Sequence, residues 1–73
     1  MIPSKSDPRW RALVQGTDKL ELKGLAARML VTRVRLMGAR KDEVSLKAAI
    51  ETAYDFFAKN TEAARDDIRV IFG

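Results

Sequence analysis

The chain has 73 residues, 47% of them apolar and 33% charged, with a net charge of +4, no cysteine and no histidine. That size allows one domain at most. The missing residue types exclude disulfides, thiolate metal sites and catalytic arrangements built on histidine. Chains below roughly 80 residues rarely hold together without a staple, a metal or an oligomer, so partner binding and self-association become the leading expectations.

Residues 1–6 read as a flexible tail, and residues 7–73 as one helical domain. The opening residues lack the apolar stretch of a secretory signal. The longest uncharged run, Ala12 to Thr17, is far short of the roughly 20 residues of a membrane span. A cytoplasmic protein is the resulting expectation. Asp7-Pro8 is a helix start, with Asp as N-cap and Pro at the first helical position. The helix would close at about Gln15, with Gly16 just past its end. Trp10, Leu13 and Val14 share one face, and Trp10 reads as a core or interface anchor.

Asp18 and Glu21 have capping-box spacing. They place a second helix from about Lys19 to Met37, stopped by Gly38; Gly24 inside it costs roughly 1 kcal/mol against Ala, and either permits a close backbone approach or marks a helix that starts just after it. Leu22, Leu25, Ala26, Met29, Leu36 and Met37 lie on one side. Ala27, Leu30, Val31 and Val34 widen that side, leaving only Gly24, Arg28, Thr32 and Arg35 clearly polar. A helix apolar most of the way round is covered on more than one side. A two-helix hairpin does not supply that cover, so the expected architecture is an all-α bundle completed as a homodimer.

Asp42 or Ser45 caps a third helix whose stripe runs through Leu46, Ile50, Ala53 and Phe57 and onward through Ala64, Ile68 and Ile71. The short loop before it implies an antiparallel neighbour. Asn60-Thr61 can end this helix and start a fourth. The favoured reading is continuation, with Asn60 in the stripe fixing register.

No P-loop, dinucleotide fingerprint or metal signature is present, and no cofactor is expected. Glu62, Asp66 and Asp67, interleaved with Arg65 and Arg69, read as a solvated, salt-bridged face rather than a cation site. Residues 1–41 carry ten Lys/Arg against three Asp/Glu, and residues 42–73 carry four against seven. Attraction between the two halves is the favoured account of that asymmetry. The other is an anion-binding surface at Arg28, Arg35, Arg40 and Lys41. Against nucleic acid, the helix after the loop opens with Asp42-Glu43, which repels phosphate, and no aromatics interleave with the basic residues. Arg33 falls inside the apolar stripe, so it either snorkels out along its stem or meets a carboxylate, Glu51 or Asp55 being candidates, at a helix–helix or chain–chain seam.

The function expected from these residues is a non-enzymatic helical interaction or adaptor protein. Its partner is itself or a larger protein, with contacts through Leu22, Leu25, Met29, Leu36, Ile50, Phe57 and Ile68. The alternative is a basic nucleic-acid-binding or regulatory protein using the arginine-rich second helix. A membrane-surface helix is the weaker third reading, because the basic helix lacks a clean division into two faces.

Overall fold

The computed structural model describes residues 2–73, and four helices order them: α1 Pro8–Val14, α2 Leu25–Gly38, α3 Glu43–Lys59 and α4 Arg65–Phe72. The chain is all-helical, with four helices where three were favoured. α2 and α3 form a helical hairpin, and α1 packs against both.

α1 begins as its sequence dictates. The Asp7 carboxylate accepts from the Arg9 N–H, and Pro8 opens the helix. Gln15 is the C-cap and Gly16 follows at φ 71°. The Gly16 N–H donates to the Leu13 carbonyl and the Thr17 N–H to the Ala12 carbonyl, the paired bonds of a Schellman motif. Trp10 is fully buried at the centre of the molecule. Its ring meets Phe72, Tyr54 and Phe57 at centroid distances of 4.7, 5.7 and 6.2 Å. Of the expected tail, Ile2 and Pro3 are half-buried, while Ser4, Lys5 and Ser6 are exposed. Ile2 packs on the core, and the indole N–H of Trp10 donates to the Pro3 carbonyl at 3.2 Å. Met1 of that expected tail lies outside the described residues.

α2 starts at Leu25, just after Gly24, the second of the two starts the sequence offers, rather than near Lys19, so the Asp18–Glu21 capping box does not form. Lys19 to Gly24 is a strap without helix, and Gly24 at its end is extended. The residues alternate, with Leu22 buried and Leu20 half-buried, while Lys19, Glu21 and Lys23 are exposed. Period two suits an extended segment lying on a core, and here it prevails over the helical signal. The strap is pinned from α4. The Asp67 carboxylate accepts from the Lys23 N–H at 2.6 Å and from the Gly24 N–H at 3.1 Å. Asp67 is therefore buried, not part of a solvated acidic face. A Cβ at Gly24 would sit 2.7 Å from the carboxylate oxygen, so a larger residue there would displace the Asp67 side chain from its bonds.

α3 is capped by Asp42, whose carboxylate accepts from the Ser45 N–H at 2.7 Å. Its continuation through Asn60 does not occur. The Asn60 N–H and side-chain amide both donate to the Phe56 carbonyl, and the Thr61 hydroxyl donates to the Phe57 carbonyl. Such side-chain bonds offer the last turn an alternative to further helix. Asn60 is thus an exposed C-cap rather than a residue in a stripe. Packing reinforces the break. An unbroken helix from Glu43 to Phe72 would be about 45 Å long, whereas the longest axis of the molecule is 31 Å. Turning back at residues 60–64 brings Ile68 into the core and Phe72 onto Trp10, where Arg9 donates to the Phe72 carbonyl at 3.0 Å. No helix among the described residues is long and apolar enough to cross a membrane.

Candidate functional site

α2 has two apolar rows on opposite sides. Ala27, Leu30, Val31, Val34 and Gly38 are buried against the hairpin and α1. Leu25, Met29 and Leu36 point away and are 66%, 65% and 70% exposed. At about 100° per residue, Leu25, Met29, Thr32 and Leu36 fall within about 60° of one another. Arg28 lies on one flank of this strip and Arg33 on the other. Three large apolar side chains on one exposed helix face is the feature of this molecule that folding does not account for.

The strip continues sideways into a groove at the seam between α2 and α3, lined by Ala26, Met29, Leu30, Arg33 and Phe56. Arg33 therefore stands at that seam, exposed, and forms no ion pair with Glu51 or Asp55. Glu51 is engaged elsewhere, by the Lys5 ammonium at 2.8 Å. That hydrogen bond holds the Glu51 carboxyl below its ordinary pKa and Lys5 above its own.

The attraction between basic and acidic halves is local to the N-terminal segment. Lys5 pairs with Glu51, and Arg11 with Glu43 at 3.2 Å. α2 takes no part. Between Glu21 and Asp42 the chain has twenty residues without an acid and with six Lys/Arg. Among the described residues Arg28, Arg33, Arg40 and Lys41 are exposed and in no ion pair. Arg35 differs. Its guanidinium donates to the Leu13 carbonyl at 3.1 Å and to the Asp18 carbonyl at 2.7 Å. It closes the C-terminal end of α1, where free carbonyls and the negative end of the helix dipole favour a cation. Arg40 and Lys41 sit in the α2–α3 turn, with Lys41 at φ 60°.

The seven apolar contact residues expected from sequence divide into two groups. Leu22, Phe57 and Ile68 lie in the chain's own core, and Ile50 is half-buried against it. Leu25, Met29 and Leu36 remain on the outside, brought together by one helix. Sequence periodicity did not separate the groups, because it marks both apolar rows of α2 without saying which one α1 and α3 cover. The groups missed from sequence are the Asp67–Gly24 clamp and the Arg35 cap. The alternation from Lys19 to Lys23 was the available signal for the strap, but no local pattern marks Asp67 as buried.

No family model, curated protein sequence or solved structure matches this chain.

Proposed function

We propose that this chain is a non-enzymatic protein-interaction module whose four helices hold the outer face of α2 ready for a protein partner. The observation that carries this reading is the row of Leu25, Met29 and Leu36, each about two-thirds exposed on one helix face. That face is rigid because its opposite side is embedded in the core, so docking a partner there orders little that is not already ordered. Aromatic and Met side chains beside Arg are typical of interface centres, and Phe56, Met29 and Arg33 meet at the adjoining seam.

The test is a photo-crosslinking amino acid placed at Met29 in cells, with Lys59 as an exposed control position. Protein adducts that form from position 29 and not from position 59 support the reading. Equal yields from both positions sink it.

A second reading, anion or nucleic-acid binding, draws support from the unpaired Arg28, Arg40 and Lys41. It loses Arg35 to the α1 cap. Reversing charge at Arg40 and Lys41, away from the α2 strip, should then abolish any salt-sensitive retention of duplex DNA, while the Met29 adducts persist.

A further inference from the structure

Resting on the reading of α2 as a docking face, we infer that its partner is an acidic amphipathic helix from another protein, lying along α2 with its carboxylates against Arg28 and Arg33. The exposed row from Leu25 to Leu36 spans about 16 Å of helix axis, the length of three turns. It matches the apolar anchors that an amphipathic helix presents at steps of three, four and seven. Arg28 and Arg33 border the row on opposite sides, so a helix seated on it passes both. Each guanidinium is free to take a carboxylate through two parallel hydrogen bonds. α2 itself carries no acid, and among the described residues neither arginine is in an ion pair.

Charge decides against the other occupants. A second copy would pair α2 with α2. In an antiparallel pair that sets Leu25 opposite Leu36, the two copies of Arg28 share one edge of the strip and the two copies of Arg33 share the other. In a parallel pair Arg28 shares an edge with Arg33 of the other copy. Both arrangements place like charges beside a desolvating strip, where repulsion is strongest. Nucleic acid would meet the two arginines but leave the apolar row between them against phosphate and water. A membrane surface would receive only three large apolar side chains, because the other row of α2 is locked in the core. Stable membrane association needs more buried apolar area than that.

The probe is a stapled helical peptide with Leu at the anchor positions and Glu along both flanks. Its twin carries Lys in place of every Glu. Amide shifts of the intact protein are followed as each is added. The Glu peptide is expected to move resonances from Leu25 to Leu36 and at Phe56, saturably and more weakly as salt rises. The double variant Arg28→Glu/Arg33→Glu, whose side chains make no hydrogen bond in the fold, should bind the Glu peptide about tenfold more weakly and accept the Lys twin instead. That exchange of preference supports the inference. Equal binding of the two peptides by the native protein overturns the acidic partner and leaves the docking face standing. A Glu peptide that leaves α2 unmoved, while Met29 still yields protein adducts, also overturns the partner class alone. If neither peptide moves α2 and Met29 yields no adducts, the docking face falls as well. Concentration-dependent shifts of α2 without peptide, or α2 shifts given only by anionic vesicles or duplex DNA, overturn it in favour of that occupant.

Discussion

Asp67 accounts for more of this structure than any other single polar side chain. A buried carboxylate is costly unless its oxygens are occupied. Here they receive the N–H groups of Lys23 and Gly24 just ahead of α2, where negative charge also complements the helix dipole. Asp67→Ala would leave both N–H groups without that acceptor, and such losses cost about 1–3 kcal/mol. For a domain of this size the expected fall in melting temperature is roughly 10 °C. Calorimetry checks it, and an unchanged melting temperature would mean that the strap is not held by this carboxylate. Gly38 is the second sensitive position. In an unobstructed helix Gly→Ala stabilises by about 1 kcal/mol. At Gly38 the new Cβ would sit 2.5 Å from the Val14 carbonyl oxygen. Gly38→Ala is therefore expected to destabilise, by about 1–3 kcal/mol, and urea unfolding reads the sign directly.

The elements were legible to different degrees, and particular residues explain why. α1 was readable at both ends because its caps are local: Asp7, Pro8 and Gly16 act within the helix they bound. The start of α3 at Asp42 was readable for the same reason. For α2 the capping-box spacing favoured a start near Lys19 over the start after Gly24 that the fold adopts, because the group that meets the Gly24 N–H comes from α4, 43 residues away. The break after Lys59 was visible in Asn60-Thr61 as a possibility, but the stripe stays in phase across it, so periodicity could not choose. Turn chemistry at the α2–α3 connection yields a further expectation. Lys41 is held at φ 60°, in the left-handed region, which costs a residue with a Cβ roughly 1 kcal/mol. Lys41→Gly should raise the melting temperature, and no rise would show that Lys41 makes a compensating contact.

For the molecule as a whole, the unpaired arginines beside the exposed strip of α2 and the acid response are consequences of where charge was placed. Asp7, Asp42 and Glu51 all have carboxyls held below their ordinary range. Asp7 is brought to about 2, chiefly by the Arg9 guanidinium and then by the Arg9 N–H. Asp42 is lowered by the Ser45 N–H and Glu51 by Lys5. A carboxyl more acidic in the folded than in the unfolded chain stabilises the fold above its unfolded pKa, near 4. That contribution disappears as pH falls through the folded value. The urea midpoint should thus hold above pH 5 and drop between about pH 4 and 2. Because Asp42 and Glu51 are exposed and Asp7 is only half-buried, added salt should shrink the drop. Asp7→Asn should remove part of it, and a variant with the same acid profile as the native protein would sever the link to Arg9.

What the sequence determined by itself is the helical class, the caps of α1 and the start of α3, and the fact that α2 carries more apolar surface than a hairpin covers. These rest on interactions between residues within a turn or two of each other. Only the tertiary structure decided which row of α2 is buried, that Lys19 to Gly24 is a strap without helix, that α4 turns back over Trp10, and that Arg35 serves α1 while Arg28 and Arg33 stay free. Each of those outcomes depends on a contact between groups far apart in the chain: Asp67 with Gly24, Arg35 with Leu13, Phe72 with Trp10. Periodicity reports that a face must be covered, and only packing selects what covers it.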